Sequence, residues 1–174
     1  MNKLYKVLGI ILVSSSLVVV GCSPDDVDTG IDDGSKKASA DKADSKDAKR
    51  FKANESTTVL GVKVNIAEVV IKPDQMEVGM NLENTNQDEV SWYPDQEAKA
   101  IMGDKQLNAD LFSGGDMGGD IAGGVKQNGV LVFPAPEKSK LDPDSIKEIQ
   151  LDLGEITSGD YSKNEKVKIN LTVK

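Results

Sequence analysis

One thiol, no imidazole and many carboxylates bound the chemistry open to this chain. Cys22 is the only cysteine in 174 residues, and histidine is absent. Without histidine the commonest general base near neutral pH is missing, and so is the usual zinc or copper ligand. Ser-His-Asp and Cys-His arrangements are excluded with it, as is a copper site of the cupredoxin kind. Met76, Met80, Met102 and Met117 are soft donors for copper(I), but Met76 and Met80 alternate with Val78 and Leu82, which reads as one core face. Acids remain. Asp110, Asp116 and Asp120 accompany Gly114, Gly115, Gly118 and Gly119. A permissive backbone with three carboxylates suits a hard cation such as calcium. A phosphate cradle would need a lysine or a following helix N-terminus, and neither is apparent. The plainer reading is a mobile loop whose acids serve solubility. Trp92, the only tryptophan, adjoins Tyr93. Exposed, the pair would anchor a ligand or partner; buried, Trp92 would be a core ring. The reading here assigns one ring to the core and one to the rim. A carboxylate pair could hydrolyse a glycoside, yet nothing places two acids together. The chain therefore reads as non-enzymatic.

The elements around Cys22 explain its position. Lys3 and Lys6 form a positive front, Val7 to Val20 is mostly apolar, and Gly21 is small. That order is the order of an export signal. The apolar part, about 14 residues or roughly 21 Å as a helix, is short for a bilayer core of about 30 Å. A cleaved signal over residues 1–21 is expected rather than a permanent span.

Val19-Val20-Gly21-Cys22 resembles the lipobox of bacterial lipoproteins. The resemblance implies a diacylglyceryl group on the Cys22 sulfur, cleavage just before it, and an N-acyl chain on the new amine. It implies a cell-membrane location, lipid-anchored on the extracytoplasmic side. Each buried methylene contributes about 0.8 kcal/mol, and two chains anchor stably where one is marginal. With Cys22 acylated, no thiol is left for a disulfide.

Loss of Lys3 and Lys6 takes the formal charge from −8 to −10. Such a chain is no general nucleic-acid binder and does not adhere electrostatically to anionic lipid. Residues 22–56 are rich in Asp, Lys, Ser and Ala, and Val27, Ile31 and Phe51 are too few to close a core. Such composition stays disordered and reads as a tether with a span of about 30–35 Å. The spaced acids from Asp26 to Asp33 miss the calcium-loop pattern, because Gly30 falls at position five and Lys37 at twelve.

Residues 57–174 change character. Met76, Val78, Met80 and Leu82 alternate, and so do Val167, Ile169, Leu171 and Val173. Val62, Val64 and Ile66 alternate before Val69 and Ile71 continue in opposite phase, which suggests a bulge near Ala67-Glu68 or a strand buried on both faces. Val130 to Phe133 is an apolar run, and Ile149, Leu151 and Leu153 alternate again. Pro73-Asp74, Asn84-Thr85-Asn86, Gly103-Asp104 and Asn128-Gly129 read as turns. About seven short strands predict an all-β antiparallel sandwich.

Val78 to Asn86, Tyr93-Pro94 with Gly103, and Gly119 to Pro134 together resemble the immunoglobulin-like domains of bacterial surface lipoproteins, those of the DUF4352 type. The resemblance implies an immunoglobulin-like β-sandwich outside a bacterial cell, with no agreed catalytic residues. The expected function is a membrane-anchored lipoprotein that binds an envelope or protein partner. The alternative is a solute- or calcium-binding module using the loop from Asp110 to Asp120.

Overall fold

In the computed structural model, residues 27–31, 47–115 and 117–174 are described. The expected signal segment 1–21, the lipidation residue Cys22 and the candidate ligand Asp116 lie outside the described residues. Two antiparallel sheets pack face to face in an all-β sandwich, as expected. The first sheet orders β1 (Lys49–Val59), β2 (Val62–Ile71), β3 (Gln75–Asn84) and β8 (Lys126–Pro134). The second orders β6 (Lys105–Asn108), β5 (Lys99–Met102), β9 (Glu148–Ser158), β4 (Val90–Trp92) and β7 (Gly119–Ile121). β10 (Asn164–Thr172) runs antiparallel along β9. A single helical turn, α1 (Pro94–Glu97), joins β4 to β5.

Period-two alternation makes the core. Met76, Val78, Met80 and Leu82 point inward from β3 and meet Val64, Ile66, Val69 and Ile71 of β2. Ile149, Leu151 and Leu153 with Val167, Ile169 and Leu171 close the opposite side. Fully burying such side chains stabilises by about 1.5–3 kcal/mol each, in a chain whose one cysteine can form no internal disulfide. The expected bulge is present: the β2–β3 register shifts between Ile66 and Glu68. One extra residue flips the inward phase from Ile66 to Val69.

Four expectations need correction. The sheet starts at Lys49, inside the segment read as tether. β1 carries KRFKANESTTV, an edge strand with one interior neighbour, so polarity hid it. β4 and β7 are three residues each, too short to show a period. With β1 they make ten strands among the described residues, not about seven. Asn128-Gly129 is no turn. It lies within β8, paired with Asn81 and Met80, and Gly129 faces Met117, whose Cβ lies 3.4 Å from where a β-carbon would sit.

The outer face of the first sheet holds the largest departure. Val70, Val130 and Val132 form a second apolar cluster there, and Val27 from the expected tether completes it. Glu68 and Glu77 are buried beside it, paired with Arg50 and Lys72 at 2.6 Å each.

Candidate functional site

Of the carboxylates expected to gather round a cation, Asp110 holds a turn and Asp120 a strand. Asp110 follows β6, and its backbone N–H donates to the Val132 carbonyl at 2.8 Å. Its carboxylate accepts the Phe112 N–H at 3.0 Å and the Ser113 hydroxyl. The Ser113 hydroxyl first, and then the Phe112 N–H, lowers its pKa below the ordinary carboxylate range. Asp120 sits on β7 opposite Ser91. One of its oxygens accepts the Ser91 hydroxyl at 2.7 Å and the Tyr93 hydroxyl at 3.1 Å. Among the described residues, no three acid or thiol side chains form a metal-holding group. Met117, Met76, Met80 and Met102 are core side chains.

Trp92 and Tyr93 part as alternation on a strand demands. Trp92 is fully buried, and its indole N–H donates to the Leu153 carbonyl at 2.8 Å. It therefore leaves the candidate surface. Tyr93 stays at the rim, 38% exposed. Its pKa is raised, first by the hydrogen bond to Asp120 and then by that carboxylate's charge, with Tyr161 and Glu89 adding smaller contributions.

The residues that sequence reasoning missed are at the β9–β10 hairpin. Asp160 accepts the Ser158 hydroxyl at 2.6 Å, the Ser162 N–H at 3.0 Å and the Ser162 hydroxyl. The Ser158 hydroxyl leads these bonds in lowering its pKa to about 2. The Tyr161 N–H donates to the Ser158 carbonyl at 2.7 Å. Tyr161 itself has φ of 58°, a left-handed conformation that a bulky residue rarely adopts. Its ring is 79% exposed. The loop thus uses a carboxylate, two serines and a strained backbone to present an aromatic ring to water. Phe112, 91% exposed, stands on the turn that Asp110 caps. An Asp two residues before a Ser or Thr, next to an aromatic, was the available signal at 160–162.

The same end of the sandwich is tied by Asn84. Its buried amide donates to the Asp88 and Ile121 carbonyls at 2.9 Å each and accepts the Asn86 N–H at 3.0 Å. Asn86 in turn donates to Leu60. Three connections are locked together, and between them lies an open crevice of about 700 Å³ lined by Leu60, Asn86, Glu89, Ser158, Asp160 and Lys163. A smaller crevice of about 390 Å³ lies at the opposite end of β9, beside Met102, Leu141 and Ile146. Neither gathers convergent catalytic groups.

Among the described residues no helix is long and apolar enough to cross a membrane. No family model matches the chain, and no curated protein does. Solved structures resemble it at low identity. A functionally unknown protein from Listeria monocytogenes EGD-e is 13% identical, with a TM-score of 0.49 over 71% of this chain and 84% of that one. A conserved hypothetical protein from Bacillus anthracis is 9% identical, with a TM-score of 0.44 over 70% and 97%. The yjhA protein from Bacillus subtilis is 17% identical, with a TM-score of 0.43 over 68% and 98%.

Proposed function

We propose that this chain is a lipid-anchored lipoprotein of the extracytoplasmic face of a cell membrane. Its sandwich binds a protein or other envelope component and catalyses no reaction. The anchor reading rests on the positive, apolar, small, Cys22 order. The binding reading rests chiefly on one observation: Tyr161 is held almost fully exposed by a prebuilt, hydrogen-bonded hairpin. Exposed aromatic rings on rigid turns are the residues that dominate interface energies, because little ordering entropy remains to be lost on contact. Tyr93 and Asp120 extend that surface with a phenol and a carboxylate. Loops on a rigid frame are the usual seat of such contacts.

The test uses the membrane-bound protein with a photoreactive amino acid at position 161, and a control at exposed Lys138. Adducts with one envelope component from position 161 and none from 138 are expected. Tyr161→Asn takes the left-handed conformation readily and should abolish association without lowering the melting temperature. Equal labelling from both positions, or association unchanged in Tyr161→Asn, rules the surface out. An unmodified Cys22 in the mass spectrum of the membrane fraction rules the anchor out.

A further inference from the structure

Residues 27–31 lie across the outer face of the β1–β2–β3–β8 sheet. Val27 is only 6% exposed, packed with Val70, Val130 and Val132. The Asp28 N–H donates to the buried Glu68 carboxylate at 2.8 Å, and the Asp28 carboxylate pairs with Lys52. The Thr29 carbonyl accepts the Asn81 amide at 2.6 Å. The crossing point is Gly79. A β-carbon there would lie 2.2 Å from the Asp28 carbonyl oxygen and 2.8 Å from a Val27 methyl. Three nearest atoms would be met, and all belong to the crossing segment. The missing side chain at 79 is therefore the space through which residues 27 and 28 pass. A mobile tether has no use for a buried carboxylate partner and a matching gap in a strand.

We propose that residues 27–31 are a docked strap that holds this sheet face toward the lipid surface. The inference rests on the reading of Cys22 as the lipid anchor. Five peptide steps from Cys22 to Val27 reach at most about 18 Å. With the strap docked, the outer face of the first sheet cannot stand farther than that from the acylated residue. With the strap released, the first fixed residue is Lys49, and the coil before it spans about 30 Å on average. The strap thus sets both the height and the orientation of the sandwich. The face suits that position electrically. Among the described residues, Arg50, Lys52, Lys63, Lys72 and Lys126 balance Asp28, Glu68, Glu77 and Glu83 on it, in a chain that is −8 overall. Balanced charge escapes the repulsion that an acidic face would meet at an anionic bilayer. The loops carrying Tyr161 lie at the end of β9, in the other sheet, and stay clear of that face.

The experiment uses the full lipidated protein in vesicles with dansyl headgroups. Trp92, the only tryptophan, is the energy donor. Amide exchange at residues 28–31 is read in the same sample, as is the mass of Cys22. Wild-type amides at 28 and 30 should exchange more than about tenfold slower than unprotected chain. Gly79→Ala keeps the strand and should abolish that protection and lower the Trp92-to-dansyl transfer. Val27→Ser, which lies outside the sandwich, should do the same without touching the fold. Unprotected amides in the wild type overturn the strap, whatever Cys22 carries. Protected amides with transfer unchanged in Gly79→Ala and Val27→Ser overturn the spacing. A Cys22 without lipid overturns the anchor and the membrane orientation with it, while the amide readout still judges the strap.

Discussion

The Trp92 indole meets the Leu153 carbonyl at the point where β9 has left β5 and has not yet met β4. β9 pairs with β5 through Asp152 and with β4 from Thr157, and between them the β9–β10 register shifts at Lys166 and Lys168. Gly154, at φ of 84°, makes that bulge possible. Trp92 supplies the donor that the neighbouring strands do not. Trp92→Phe keeps most of the packing but withdraws the N–H, and should lower unfolding free energy by about 1–3 kcal/mol. Trp92→Ala also opens a cavity and should lose about 3–5 kcal/mol. Urea unfolding followed by far-ultraviolet circular dichroism measures both. A Trp92→Phe variant as stable as the wild type would show that the hydrogen bond contributes nothing.

Asn84 predicts a second stability effect at the loop end. It is fully buried, bonds directly to the loop after β3 and to the end of β7, and reaches the β1–β2 turn through Asn86, so its removal leaves the Asp88 and Ile121 carbonyls without that donor. Asn84→Ala should cost about 2–3 kcal/mol. Asn84→Asp preserves shape but sets a carboxylate against two carbonyl oxygens, and should cost at least about as much. Thermal unfolding of the two variants reads this. A loss under about 0.5 kcal/mol in both would mean that the loops are held by other contacts.

Asp160 predicts a pH dependence with a definite sign. Its pKa is lowered from 3.8 to about 2, led by the Ser158 hydroxyl. A group whose folded pKa is depressed contributes stability that is present above the unfolded value and is lost as pH falls through the folded one. The hairpin order should therefore be constant from neutral pH down to about 3.8 and decline toward about 2. Carboxyl carbon shifts of Asp160, with the Ser162 amide shift as reporter, give the midpoint. Asp160→Asn should remove this titration from the Ser162 amide. A midpoint near 3.8 would mean that the serines do not hold the carboxylate. Tyr93 has the opposite sign. Its pKa is raised from 10.0, chiefly by its hydrogen bond to Asp120, so its contribution is complete below that value and fades as pH rises past the folded pKa.

The parts of this fold legible in sequence are those with a local period. Met76 to Leu82 and Val167 to Val173 alternate because one face of each strand is buried, and the phase change before Val69 marks the bulge at Ala67. β1 was illegible because its neighbour, not its own side chains, makes it a strand. Asn128-Gly129 misled because a turn dipeptide lies inside β8, where pairing with β3 and not the dipeptide sets the backbone. The strap was hidden for a stronger reason. Val27 and Gly79 each look ordinary, and only their contact gives either a role. Tyr161 was overlooked because a lone tyrosine among serines has no period, and its exposure comes from backbone geometry. Trp92 and Tyr93 divided between core and rim as adjacent residues must when a strand end has one buried face.

The loop acids predict how the protein responds to calcium. A calcium site wants six to eight oxygens that are free to turn toward the ion. Asp110 already accepts from Phe112 and Ser113, and Asp120 already accepts from Ser91 and Tyr93. Binding would compete with the bonds that hold the turn beneath Phe112 and the Tyr93 hydroxyl. A site with a dissociation constant of about 10 μM would add about 2.7 kcal/mol at about 1 mM ion, which is several degrees in melting temperature for a domain of this size. The expected outcome is a melting temperature unchanged within a degree or so between chelator and about 1 mM calcium. Tyrosine fluorescence is expected to be equally insensitive in a Trp92→Phe, Tyr161→Asn background, where Tyr93 is the tyrosine left in the sandwich. A rise of several degrees that Asp110→Asn abolishes would instead make the glycine-rich loop a cation site, and would move the binding chemistry of this protein from the Tyr161 hairpin to that loop.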